Sequence, residues 1–197
     1  MIDLPESPAP NGCGIRTRDF GATIEGGRGG ADQRRNTPGN RWEIVVSLPR
    51  MDIALAREWS MLLTMGLEAG GVRFWVRQLG LDVGAPGSPI VSGAGQAGKT
   101  LNVSGFTRGY RGLVSQYFSV VTGGRRYGYK LAARSKASAA GEAALTFEPA
   151  LRAEPAGGDV LEFGKPFIEG LLASVPEEVS AVSSLAEGFE FVIREAR

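Results

Sequence analysis

The residues with the clearest chemical spacing are Gly93-Ala94-Gly95-Gln96-Ala97-Gly98-Lys99-Thr100. They match G-x-x-x-x-G-K-[ST] at every fixed position. In that pattern the loop amides cradle phosphates, the lysine reaches the β- and γ-phosphates and the hydroxyl binds Mg²⁺. The chemistry needs a buried strand entering the loop and a helix leaving it, because the helix N-terminus supplies part of the anion site. Here only Ile90-Val91 precede it, after Pro86 and Pro89, and Thr100-Leu101-Asn102-Val103-Ser104-Gly105 alternates like a strand. Residues 83–141 contain no acid to hold the metal. The stretch reads as a glycine loop between strands, and a P-loop NTPase stands third among the functional readings.

Other reactive groups are sparse. There is no histidine, which removes Ser-His-Asp and Cys-His nucleophiles and histidine-ligated metals. Cys13 is the only cysteine, so no internal disulfide or thiolate cluster forms, and it reads as a bystander in Asn11-Gly12-Cys13-Gly14. The paired Glu177-Glu178 follows Pro176 and reads as a loop or helix start. No residue is assigned a catalytic, cofactor-binding or metal-binding role. The basic residues between Lys99 and Lys136 are interleaved with Phe106, Tyr110, Tyr117, Phe118, Tyr127 and Tyr129. On a small barrel that mixture suits single-stranded nucleic acid, which makes a basic nucleic-acid-binding β-barrel the second reading. The same residues equally suit a barrel core with a solvated basic face.

The elements that position these residues centre on Arg41 to Val76. Trp42, Ile44, Val46 and Leu48 alternate with Glu43, Val45 and Ser47, the period-2 pattern of a half-buried strand. Asp52 stands as N-cap of a helix over 53–68, with Leu55, Trp59, Leu62, Leu63 and Met65 on its apolar face. Gly70-Gly71 stops the helix, and Val72 to Val76 is a second strand. Further strands are expected at Thr100 to Val103, Gln116 to Val121, Arg125 to Ala132, Ala143 to Phe147 and Val160 to Phe163. Thr122-Gly123-Gly124 is a hairpin turn. Phe167 to Ala173 is ambiguous, and Gly188 to Glu195 is a closing strand with Phe189, Phe191 and Ile193 on one face.

Length, 197 residues, fits one large domain or two small ones. The 29 glycines are spread throughout, which favours a turn-rich β protein. The expected organisation is a Gly/Pro-rich arm over 1–40 with room for one short strand near Phe20 to Glu25. A discontinuous domain over 41–83 and 151–197 follows, with a basic β-module over 84–150 inserted between its halves. The formal charge is +1, yet residues 83–141 hold eight bases and no acid, while 142–197 hold eleven acids against four bases. No apolar run is long enough for a membrane span, so no membrane partner is expected.

The chain resembles the distal tail (tail-tip baseplate) proteins of bacteriophages with long non-contractile tails. The marks run from Arg41 to the end. Trp42-Glu43-Ile44-Val45-Val46-Ser47-Leu48-Pro49 leads into Ala56-Arg57-Glu58-Trp59, and the aromatic Val72 to Val76 follows. Then come Gly95-Gln96-Ala97-Gly98-Lys99-Thr100-Leu101, Glu148-Pro149-Ala150-Leu151-Arg152 and the terminal Glu195-Ala196. Arg108-Gly109-Tyr110 stands where the family pattern has a Gly-Asp pair. The resemblance implies a mainly β fold with one prominent helix. It would be a β-sandwich hub domain, tail-tube-like, with an inserted small β-barrel. It implies a non-enzymatic structural virion protein, without cofactors, at the tail tip and assembled in the host cytoplasm. Such a protein forms a homohexameric ring between the tail tube protein and the tail hub protein that holds the receptor-binding parts.

Overall fold

The computed structural model describes residues 1–35, 39–78, 80–176, 180–182 and 185–196. It is mainly β with one α-helix, and its two principal elements are a six-stranded sheet and a closed six-stranded barrel. The sheet runs in the order Ile2–Asp3, Val72–Trp75, Phe167–Ser174, Glu190–Glu195, Arg41–Ser47, Gly12–Arg18. Its two central pairings join residues more than a hundred positions apart: Phe191 lies opposite Val46, and Ile193 opposite Ile44. Trp42, Ile44, Val46, Phe191, Ile193, Ile168, Val72 and Phe74 fill one face, all buried, as the alternation in the sequence requires.

The helix Ile53–Glu68 lies on that face. Asp52 caps it, its carboxylate accepting the Leu55 amide at 2.9 Å. Gly70 and Gly71 both take positive φ immediately after its end. Its buried residues are Ala56, Trp59, Leu63 and Gly66. Met65, expected on the buried face, is instead 41 % exposed. Gly66 takes the inward position because the helix approaches the Val72 and Leu172 side chains too closely for a Cβ there.

The barrel runs in the order Tyr117–Thr122, Arg125–Leu131, Ala143–Glu148, Thr100–Phe106, Gly87–Val91, Val160–Glu162 and closes on Tyr117–Thr122. Gly123 and Gly124 make the expected turn, both at positive φ. Phe118, Tyr129, Leu101, Leu145, Phe147, Leu161 and Phe163 are packed inside. Phe118 stacks on Phe163 with centroids 4.9 Å apart.

Two expected boundaries are corrected. The inserted module does not end at 150: Val160–Glu162, assigned to the discontinuous domain, is the sixth barrel strand, with Val120 opposite Leu161. Without it the barrel would expose two unpaired edges. Residues 1–40 are not a free arm. Gly12–Arg18 pairs with all seven residues of Arg41–Ser47, Ile2–Asp3 lies parallel to Val72–Arg73, and the Trp59 indole donates to the Ser7 carbonyl at 3.2 Å. The strand expected near Phe20 to Glu25 is Ala22–Ile24, paired with Gln33–Arg35. Phe167–Ser174 is a strand throughout. Glu177-Glu178 lies outside the described residues.

Candidate functional site

The loop with the nucleotide-binding pattern connects two barrel strands, Gly87–Val91 and Thr100–Phe106. The chain leaves Lys99 as a strand, so no helix N-terminus points at the loop. The loop is organised by Gln96 instead. Its side-chain amide donates to the carbonyls of Ser92 at 2.9 Å and Asn102 at 3.2 Å, and its oxygen accepts the Asn102 amide at 2.6 Å. Lys99 pairs with Glu148 at 2.6 Å, with both side chains more than half exposed. Exposed pairs of this kind contribute about 0–1 kcal/mol. Lys99→Ala should therefore leave the unfolding midpoint nearly unchanged. Calorimetric titration with Mg-ATP should show no saturable heat in either protein.

The aromatic residues interleaved with the bases go to the barrel interior. Phe106, Phe118 and Tyr129 are buried, Tyr110 stacks on Phe106 with centroids 5.3 Å apart, and Tyr117 meets Trp42 edge-on at 5.6 Å. Burial pushes the Tyr110, Tyr117 and Tyr129 hydroxyls above the ordinary phenol range. Tyr127 is half-buried beneath Arg152, which lies 5.5 Å from its ring centroid. Burial likewise raises the Cys13 thiol, which disfavours the nucleophilic thiolate. Among the described residues no group of three or more His, Cys, Asp or Glu is placed to hold a metal ion.

Opposed charge in the middle and last thirds of the chain is largely satisfied within the molecule. Arg126 bonds Glu162 at 3.0 Å and reaches Glu169 at 3.4 Å, and Lys99 holds Glu148. Arg108, Arg111, Arg134 and Lys136 remain exposed, with no ion pair among the described residues. Arg111 and Lys136 stand directly opposite one another at one end of the barrel.

A scan of protein-family models and a search of curated proteins returned no match to this chain. The geometry therefore carries the functional argument alone, and it converges on the junction between barrel and sheet. Glu195, at the end of the last strand, accepts the Gly128 amide at 2.7 Å and the Trp42 amide at 3.1 Å. Its carboxylate also takes both terminal nitrogens of Arg152, whose side chain is 6 % exposed against 1 % for Glu195. Arg152 and the Trp42 indole donate in turn to the Gly128 carbonyl, at 3.1 and 3.0 Å. Burial alone would lower the Arg152 pKa, but the Glu195 charge outweighs it and raises it. Gly128 permits this approach: a Cβ there would stand 2.9 Å from Ile168 Cγ1 and 3.3 Å from Trp42 Cδ1. On the far side Gln78 bridges the two elements, donating to the Phe163 carbonyl at 3.1 Å and accepting the Tyr117 amide at 2.8 Å.

Sequence reasoning quoted Arg152 and Glu195 only as parts of longer segments. Their partnership spans 43 positions, and no spacing rule announces it. A single arginine in a segment otherwise made of Pro, Ala and Leu was the available signal.

A second carboxylate is held similarly on the opposite face of the sheet. Glu43 is 4 % exposed and bonded by Arg194 Nε and Arg16 Nε, each at 2.6 Å. The Arg194 and Arg16 hydrogen bonds depress its pKa below the ordinary value of 4.5. Because the folded value is depressed, its stabilisation is complete above about pH 4.5 and is lost as pH falls through the folded value. Glu43→Gln should accordingly lower the unfolding midpoint near neutral pH, with the gap to wild type closing in acid. Thermal melts across pH 7 to 3 check this; a gap independent of pH contradicts it.

Proposed function

We propose that this protein is a structural subunit of a bacteriophage tail tip, assembling as a ring between the tail tube and the hub that carries receptor-binding parts. In this reading the six-stranded sheet is one layer of a hub sandwich. The small sheet of Met51–Asp52, Leu185–Glu187 and Ser180–Val182 contributes the other, and the helix flanks both. The observation that carries the reading is the junction. A barrel inserted between two neighbouring strands of one sheet is fastened back to that sheet by a buried ion pair, Arg152–Glu195, so both elements move as one body. Rigid presentation of a second module suits a building block, which must hold two surfaces at a fixed angle. Closure into a ring needs two different patches on each subunit. The unpaired bases at the barrel end and the mixed-charge open face of the sheet are two such patches.

Sedimentation velocity at increasing protein concentration tests the proposal. A discrete multi-subunit species is expected; a monomer at every concentration contradicts it.

A further inference from the structure

The face of the sheet opposite the helix carries Glu43, Val45, Val192, Arg194 and Leu171, and Leu171 is 53 % exposed. One flank of that face is basic. Arg18 and Arg41 stand directly opposite each other across adjacent strands. Like charges so placed repel, and here both guanidiniums lie 5.1 Å from the centroid of the same Phe20 ring. Two residues along the strands, Arg16 and Arg194 flank Glu43. That carboxylate is already divided between them, and each guanidinium has donors left over. Arg18, Arg41 and Arg194, with Arg125 of the barrel, line a groove of about 510 Å³ whose apolar part includes Leu171 and Ala173. Glu195 also lines it, committed to Arg152.

We infer that this groove binds an acidic peptide segment in extended conformation. The arginines occupy two levels separated by two residues, about 7 Å along a strand. That is the spacing of alternate side chains in an extended peptide, so Glu side chains at i and i+2 meet one level each. A single phosphate needs donors converging on one point, which this arrangement does not provide. The planar forks suit carboxylates, and Leu171 and Ala173 suit the aliphatic stems that carry them. The inference rests on the groove alone and is independent of the tail reading.

The test is fluorescence anisotropy of a labelled hexaglutamate peptide titrated with the whole protein, at about 50 mM and about 300 mM NaCl. Saturable binding that weakens with salt is expected. Arg18→Ser/Arg41→Ser should weaken it at least about tenfold, the loss expected of two charge-assisted hydrogen bonds. Arg111→Ser/Lys136→Ser, which removes the same charge from the barrel end, should leave it unchanged. If the serine pair lowers the melting temperature, Arg18→Gln/Arg41→Gln keeps the stems over Phe20 and carries the same expectation. Absence of saturable binding, equal weakening in both double variants, or displacement by inorganic tripolyphosphate at lower concentration than by unlabelled hexaglutamate overturns the inference.

Discussion

Arg152→Met should destabilise the protein by about 3–5 kcal/mol, the cost of leaving one member of a buried ion pair behind. For a chain of this size that lowers the melting temperature by about 10 °C. The loss is large because Glu195 stays in place, held to the amides of Trp42 and Gly128 in a site that water barely reaches. The charge of the abandoned carboxylate is therefore the main penalty. Neutralising it should recover part of the loss, so Arg152→Met/Glu195→Gln should be more stable than Arg152→Met alone. Chemical denaturation of the single and double variants measures this coupling directly. If the double variant is the less stable, the two side chains act independently and the junction is not the fastening described above.

Trp59→Ala should cost about 3–5 kcal/mol, by loss of buried surface and creation of a cavity. Trp59 is 1 % exposed, its ring lies 5.9 Å from that of Phe191, and its indole holds the Ser7 carbonyl. One side chain thus joins the helix, the central sheet and the N-terminal segment. Trp59→Phe keeps most of the packing and loses only the hydrogen bond, which contributes about 1 kcal/mol. Urea unfolding of both variants separates the two contributions; similar losses for Ala and Phe would place the weight on the hydrogen bond rather than the packing.

The sequence was informative where pairing partners share a local pattern. The alternation of Trp42, Ile44 and Val46 and the cap at Asp52 both appear in the structure where the residue spacing places them. It was least informative where distant residues decide. Gly12–Arg18 carries two glycines and two arginines and has little strand preference of its own; pairing along the whole of Arg41–Ser47 overrides that. Val160–Glu162 reads as a strand, yet nothing local says which sheet it joins. That follows from the need of the 117–122 and 87–91 strands for a partner between them. The Lys99 loop shows the converse: a complete local motif whose flanking strands deny it the helix its chemistry requires. The groove of Arg18, Arg41 and Arg194 was not legible, because it depends on the register of three strands drawn from both ends of the chain.

The most direct test of the account is negative-stain electron microscopy of the purified full-length protein, with class averages examined for rotational symmetry. Closed rings with a central opening and several equivalent subunits are predicted, each with its barrel at a constant angle to the ring. A uniform population of single particles, or open chains without a repeating angle, would contradict the reading of this chain as a ring-forming tail component.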